Sequence, residues 1–68
     1  MRLIINGEDR EITGVTHVAS LVEQLGMKSD RVAVELNLEI VPRTAWLETP
    51  LNLGDKLEIV HFVGGGLF

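Results

Sequence analysis

Residues 2–13 have the hydrophobic pattern of a β-hairpin. The apolar run 3–5 favours a strand, and Asn6-Gly7 is a strong two-residue turn signal because both residues tolerate a positive φ. The chain then returns through a mostly polar segment in which Ile12 is the apolar anchor. We expect two short antiparallel strands joined by a tight turn.

Residues 16–25 have the period of an amphipathic helix. One apolar stripe is formed by the residues at i, i+3, i+4 and i+7, which are Val18, Leu21, Val22 and Leu25. Thr16 is the expected N-cap, since its hydroxyl can accept a hydrogen bond from a free backbone amide. Gly26 is placed where a left-handed residue ends a helix, and Met27 can then pack back against Val22.

The second half of the chain predicts three more strands and one helical turn. They are Val32–Leu36, a return strand at Ile40-Val41 after a turn over 37–39, a helical turn from Thr44 to Leu47 that Thr44 caps, and a last strand from Lys56 to Val63. We expect Trp46 and Leu47 to dock onto the core, with the Trp46 indole nitrogen donating one hydrogen bond. Arg43 is expected to have a structural role.

Both faces of the last strand become apolar toward its end. The inward face carries Leu57, Ile59, His61 and Val63, and the other face carries Glu58, Val60 and Phe62. A strand in a small open sheet has one wet face. Val60 and Phe62 are therefore predicted to form an exposed partner-binding patch. The alternative is that Phe62 folds under a neighbouring loop and belongs to the core.

The order of the elements predicts an α+β roll. One helix covers only one face of a sheet, so we expect a mixed sheet of four to five strands with one crossing helix. We assign residues 1–63 to this domain and residues 64–68 to a flexible glycine-rich tail. Gly64, Gly65 and Gly66 have no side chains, so this arm can pass through a slot too narrow for other residues. The alternative is a frayed chain end without function.

The charge and hydrophobicity of the chain argue against two classes of partner, nucleic acids and membranes. The 68 residues include no cysteine, and 6 Lys and Arg against 10 Asp and Glu give a formal net charge of −4. The basic residues are scattered, which argues against nucleic acid as a partner. No apolar stretch has the length of a membrane span. We expect a cytoplasmic protein without a membrane partner.

The residues that usually carry catalysis or bind metals do not form a recognisable set. The two histidines, His17 and His61, are widely separated and no cysteine accompanies them, so we expect no metal site. The sequence offers no nucleophile–base pair, and this argues against an independent enzyme. His17 is expected to be solvated near the helix start. A binding or carrier module is therefore favoured.

A set of ordered motifs resembles the ThiS-like sulfur carriers of thiamin biosynthesis, which have the ubiquitin-like β-grasp fold. The motifs are the Asn6-Gly7 hairpin, Glu23-Gln24-Leu25 at the helix end, Val34-Glu35-Leu36-Asn37, the segment from Pro42-Arg43 to Trp46, Gly54-Asp55, and the glycine tail. The resemblance covers essentially the whole chain.

The resemblance implies a carrier without catalytic side chains or a bound cofactor. In that family an E1-like enzyme uses ATP to adenylate the terminal glycine carboxylate. A sulfur-donor enzyme then helps to form a thiocarboxylate, and thiazole synthase takes the sulfur for the thiazole ring. The closing pair of family glycines matches Gly65-Gly66, which makes Gly66 the reacting residue. Leu67 and Phe68 follow Gly66, so we also expect a processing protease that removes them.

Other functions stay open at this point. The same tail chemistry is implied for the related small subunit of molybdopterin synthase and for sulfur carriers of tRNA or amino-acid synthesis. A different interpretation is a β-grasp protein-binding module whose tail is never charged.

Overall fold

The computed structural model describes residues 1–62, which form one mixed sheet with a helix packed on one face. The elements are β1 (Arg2–Ile5), β2 (Glu8–Glu11), α1 (Val18–Gln24), β3 (Val32–Leu36), β4 (Glu39–Val41) and β5 (Lys56–His61), with 3₁₀ helices at Ser29–Arg31 and Arg43–Glu48. The five strands lie in the order β2-β1-β5-β3-β4. This is the predicted α+β architecture, and it places the last strand at the centre of the sheet.

The β1–β2 hairpin confirms the turn that Asn6-Gly7 predicts. Ile5 pairs with Glu8 across the turn, and the two turn residues have φ values of 51° and 82°. Positive φ at both central positions is the twist that a two-residue hairpin requires. The second strand ends at Glu11, but Ile12 just beyond it is buried in the core as expected.

β5 makes the sheet mixed because its two neighbours run in opposite directions. It pairs in parallel with β1 through Ile4↔Lys56 and Ile5↔Leu57. It pairs antiparallel with β3 over five registered residues, from Val32↔His61 to Leu36↔Leu57. The strand that leads toward the glycines is therefore held on both sides near its start.

The helix packs its predicted stripe into the core and ends as predicted. Val18, Leu21 and Val22 are buried, and Leu25 packs half-buried against the same cluster. The Gly26 amide donates to the Glu23 carbonyl at 3.0 Å, and the Met27 amide donates to the Val22 carbonyl at 3.2 Å. These two bonds with a left-handed Gly26 (φ 76°) form a Schellman motif.

The start of the helix differs from the prediction. The N-cap is His17, not Thr16, and the helix begins at Val18. His17 has the extended backbone of an N-cap, with φ −146° and ψ 172°, and its Nδ1 accepts the Ser20 amide at 3.1 Å. His17 is half-buried, so it is less solvated than expected. The Thr16 amide is instead satisfied by the Ser20 hydroxyl at 3.0 Å.

The predicted helical turn is a 3₁₀ helix, and two expectations about it are wrong. Pro42 occupies the N-cap position and no side chain caps the helix, so Thr44 does not have the role assigned to it. Trp46 is buried as expected, but Leu47 is 73% exposed. Adjacent residues of a 3₁₀ helix point about 120° apart, because the helix has three residues per turn. Trp46 takes the inward position, which turns Leu47 outward.

The core lies between the helix and the inward face of the sheet. Its buried residues are Leu3, Ile5, Ile12, Val15, Val18, Leu21, Val22, Val32, Val34, Trp46, Leu51, Leu57 and Ile59. On β5 the core reaches only as far as Ile59. His61 lies on the predicted face, opposite the buried Val32, but its side chain is exposed. None of the helices within residues 1–62 is long and apolar enough to cross a membrane.

Candidate functional site

The candidate site begins where β5 leaves the sheet. His61 is registered opposite Val32, and the Phe62 amide donates to the Arg31 carbonyl at 2.7 Å. This bond fixes the backbone up to the last described residue. Val63 and the predicted tail residues Gly64, Gly65, Gly66, Leu67 and Phe68 lie outside the described residues, so the predicted boundary between domain and tail stays a prediction.

The predicted patch on the outer face of β5 is exposed. Val60 is 56% exposed and Phe62 is 52% exposed, so the alternative of a core Phe62 is wrong. Val60 stands directly opposite Ala33 of β3. Ile40 lies on the same face, since it is registered opposite Glu35. Together, Ala33, Ile40, Val60 and Phe62 form an apolar area that we call the outer apolar patch.

Phe62 also borders a shallow groove beside the patch. The groove has a volume of about 190 Å³, and its lining includes Ile40, Pro42, Arg43 and Phe62. It runs between the end of β5 and the 3₁₀ helix that follows β4. The groove gives the patch a concave side next to the point where the tail begins.

Two acidic residues lie next to the patch on the same face. Glu35 of β3 and Glu58 of β5 are registered directly opposite each other. Neither carboxylate forms an ion pair with another residue in the described part of the chain. Like charges in this position repel each other. With Glu35 and Glu58 beside the patch, the outer face changes from apolar near the end of β5 to acidic near its middle. The residue alternation along β5 placed Glu58 on this face, but the pairing with Glu35 was not predictable without the register.

Arg43 and Trp46 have the structural roles that were expected. The Trp46 indole nitrogen donates to the Val41 carbonyl at 2.9 Å, and Arg43 Nε donates to the Ser29 carbonyl at 2.7 Å. The Arg43 guanidinium carbon lies 5.6 Å from the centroid of the Trp46 ring, within the range of a cation–π contact. These bonds fix the segment that lines the groove.

Within residues 1–62, no group of three or more His, Cys, Asp or Glu side chains is placed to hold a metal ion. Glu11 on the edge strand β2 has a lowered pKa. The Met1 ammonium donates a hydrogen bond to its carboxylate at 2.7 Å and holds the Glu11 pKa below its ordinary value.

Comparisons with known proteins place the glycines in a family context. Residues 3–66 match the sequence profile of the ThiS family. The chain is 37% identical over 67 residues to the sulfur carrier protein ThiS of Bacillus subtilis (strain 168), a match that covers 94% of this chain and 98% of that protein. The crystal structure of the thiamine biosynthesis protein ThiS from Geobacter metallireducens superimposes with a TM-score of 0.82 at 35% identity, covering 97% of this chain and 100% of that chain.

A further relative is a much longer protein. The chain is 52% identical over 66 residues to a thiazole synthase of Paramagnetospirillum magneticum, a match that covers 97% of this chain. The chain spans 20% of that protein's length. The same domain is thus similar both to carriers of about its own size and to one part of a larger protein.

Proposed function

Because the chain belongs to the ThiS family of sulfur carriers in thiamin biosynthesis, we propose that Gly66 carries the sulfur as a thiocarboxylate. The observation that supports this assignment most directly is the extent of the family match. It runs over residues 3–66 and ends at Gly66 itself. In this proposal, residues 1–63 are the domain that partners recognise, and residues 64–66 are the arm that enters their active sites.

The proposed chemistry begins with activation of the Gly66 carboxylate. In the active site of an E1-like enzyme, a carboxylate oxygen attacks the α-phosphorus of ATP and pyrophosphate leaves. The product is an acyl-adenylate, whose AMP group leaves more readily than an oxide from a free carboxylate. A hydrosulfide equivalent from a sulfur-donor enzyme then attacks the acyl carbon, AMP leaves, and a thiocarboxylate remains. The carrier itself binds no cofactor in this scheme, since ATP belongs to the activating enzyme.

The glycines suit this chemistry for a steric reason. An acyl-adenylate hydrolyses if water reaches it, so the activating enzyme has to enclose the reacting end. A chain without side chains enters an enclosed site more easily than one with bulky residues. The carrier contributes position rather than catalysis, and none of the described residues is needed as an acid, a base or a nucleophile.

A processing step is part of the proposal. In this sequence Leu67 follows Gly66 through a peptide bond, so a free Gly66 carboxylate arises only when that bond is hydrolysed. We propose that a protease cleaves between Gly66 and Leu67. Three glycines precede this bond, and small residues are common at sites of proteolytic cleavage.

We propose thiazole synthase as the partner that accepts the sulfur. A thiazole synthase contains a region 52% identical to this chain, and two functions joined in one polypeptide commonly act together. We further propose that Val60 and Phe62, within the outer apolar patch, contact the E1-like enzyme and the synthase. The patch is exposed and lies beside the start of the tail.

The experiment compares two forms of the chain, one ending at Gly66 and one ending at Phe68. Each is incubated with the E1-like adenylating enzyme of the same organism, ATP and labelled pyrophosphate. We expect exchange of label into ATP with the form that ends at Gly66 and none with the form that ends at Phe68. A form that ends at Gly65 is the control for the position of the carboxylate.

Two results would contradict the proposal. Absence of exchange with the Gly66 form would favour a β-grasp binding module whose tail is never charged. Exchange that is followed by sulfur transfer in the presence of the other subunit of molybdopterin synthase, and not with thiazole synthase, would favour the other carrier class. Intact-mass analysis of the protein from its own cells would show directly whether a species ending at Gly66 with sulfur in place of oxygen exists.

A further inference from the structure

β5 loses its neighbour on one side before it ends. On the β1 side the registered pairs stop at Ile5↔Leu57, and the last backbone bond runs from the Asn6 amide to the Leu57 carbonyl at 2.8 Å. The chain then turns away into β2, whereas β5 continues to His61. On that side, the second half of β5 has no registered strand partner within residues 1–62.

The Asn6 side chain takes the place of the missing strand. Its Oδ1 accepts the Ile59 amide at 2.7 Å, and its Nδ2 donates to the Ile59 carbonyl at 3.2 Å. One amide group therefore binds both backbone polar groups of one residue, as a neighbouring strand would. Both bonds are partly buried and span 53 positions of sequence.

Asn6 meets two requirements at once. Its backbone is left-handed with φ 51°, a conformation that asparagine tolerates better than most residues. Its side chain has one acceptor and one donor group at the spacing that Ile59 presents. Glycine would keep the backbone and lose both side-chain bonds, so a glycine at position 6 isolates the contribution of the amide.

Within residues 1–62, the Asn6 side-chain amide makes the last hydrogen bonds to β5 on the β1 side. On the β3 side, the last backbone bond among these residues joins the Phe62 amide to the Arg31 carbonyl. Phe62, the last described residue, follows Ile59 by three residues, and an extended chain advances about 3.3 Å per residue. An error in direction or register at Ile59 is therefore carried along the chain over roughly 10 Å to Phe62.

We propose that Asn6 is a positioning residue for the tail, an inference that rests on the proposed carrier function. By bonding to Ile59, Asn6 keeps the end of β5 in the sheet, which we call the closed form, and fixes the direction in which the chain leaves it. Strand ends open at low free-energy cost. A partner that binds only the closed form has an apparent affinity proportional to the fraction of molecules in that form. Loss of the Asn6 side-chain amide therefore lowers the affinity of the activating enzyme for the carrier without changing the reacting group.

The chain offers a matched control at the other end of the same strand. Asn37 also has a left-handed backbone, with φ 49°. Its Oδ1 accepts the Lys56 amide at 3.0 Å, and its Nδ2 donates to Asp55 Oδ1 at 3.1 Å. Asn6→Gly and Asn37→Gly thus each remove a side-chain acceptor from a backbone amide of β5, at Ile59 and at the first residue Lys56.

Two measurements separate positioning from general stability. Amide hydrogen exchange of the full chain, followed by NMR, is expected to show about tenfold faster exchange at Phe62 in Asn6→Gly and no change there in Asn37→Gly. The Phe62 amide is informative because Asn6 does not bond to it. With chains ending at Gly66, we expect the KM for the carrier in adenylation to rise about two- to fivefold in Asn6→Gly only, with kcat unchanged. A tenfold rise in an opening constant of about 0.2–1, as for a fraying strand end, lowers the closed fraction by that factor.

The outcomes are distinguishable. Equal KM values for Asn6→Gly and the wild type would overturn the positioning role while leaving the carrier function intact. An equal rise in Asn37→Gly would show that only overall stability matters, which also overturns it. A wild-type chain ending at Gly66 that is never adenylated would overturn the proposed function and this inference together.

Discussion

His17 and Ser20 satisfy each other's backbone at the start of α1. His17 Nδ1 accepts the Ser20 amide at 3.1 Å, and the Ser20 hydroxyl accepts the His17 amide at 3.1 Å. This reciprocal arrangement is a capping box in which histidine replaces the usual hydroxyl or carboxylate side chain. Since Nδ1 is the acceptor, the arrangement requires that this nitrogen carry no proton.

Removal of this cap is expected to destabilise the fold without changing its surface near the tail. His17→Ala should lower the free energy of unfolding by about 1 kcal/mol, the usual cost of losing an N-cap acceptor. His17→Asn and His17→Asp keep a side-chain acceptor and should stay within about 0.5 kcal/mol of the wild type. Urea unfolding of the three variants measures the difference. A loss for Asn and Asp as large as for Ala would show that the ring, not the hydrogen bond, matters.

The same helix shows what sequence could predict. The stripe of Val18, Leu21 and Val22 follows from the helical period, and Gly26 follows from the backbone geometry of a helix end. Both are local properties. The N-cap could not be predicted to be His17 and not Thr16. The N-cap is the extended residue directly before the first helical residue, so its identity depends on where the helix starts. That position depends on the bond from the Val18 amide to the Thr49 carbonyl.

The candidate site divides in the same way. Exposure of Val60 and Phe62 was predictable because one helix cannot cover both faces of β5. The contact between Asn6 and Ile59 was not predictable, since it depends on β1 and β5 being neighbours across 53 positions. The local sequence predicts Asn6 only as a turn residue, and this role gives no sign of its tertiary contact with Ile59.

Leu38 occupies a backbone conformation that suits glycine. It follows Asn37 in the β3–β4 turn with φ 74°, and its side chain is 87% exposed. A left-handed conformation costs a leucine about 1–2 kcal/mol, and here little burial offsets it. Leu38→Gly should therefore raise the free energy of unfolding by about 0.5–1 kcal/mol, after the entropy of an unfolded glycine is subtracted.

The control for Leu38 is another exposed leucine with ordinary backbone. Leu53 is 77% exposed and has no positive φ. Leu53→Gly should lower stability by roughly 0.5–1 kcal/mol, since it adds only unfolded-state entropy. Thermal unfolding of both variants gives opposite signs if the strain is real, and a loss in both would disprove it.

Glu11 should titrate below its ordinary range in protein with a free Met1 amine. The ammonium bonded to its carboxylate favours the charged form and lowers the Glu11 pKa. A lowered pKa in the folded state means that this contribution is present above the unfolded value and lost as pH falls through the folded value. NMR titration should show the Glu11 pKa returning toward its ordinary value when Met1 is acetylated. An unchanged pKa would mean that the ion pair does not form in solution.

Phe62 is expected to matter for partners more than for stability. Because the side chain is 52% exposed, Phe62→Ala should lower the free energy of unfolding by less than about 1.5 kcal/mol, well under the 3–5 kcal/mol typical of a buried phenylalanine. Its loss should weaken binding to the adenylating enzyme by about 1–3 kcal/mol, as for aromatic residues at interfaces. Isothermal titration calorimetry and urea unfolding measure the two effects separately.

Leu47→Ala is the matched control for Phe62→Ala, because Leu47 is an apolar residue of 73% exposure that lies outside the outer apolar patch. It should leave both binding and stability within about 0.5 kcal/mol of the wild type, as is usual for exposed positions. If Leu47→Ala weakened binding as much as Phe62→Ala, the partner would contact the 3₁₀ helix as well as the end of β5. If Phe62→Ala cost the full amount expected of a core residue, the outer face would have to be covered in solution by residues beyond the described 1–62.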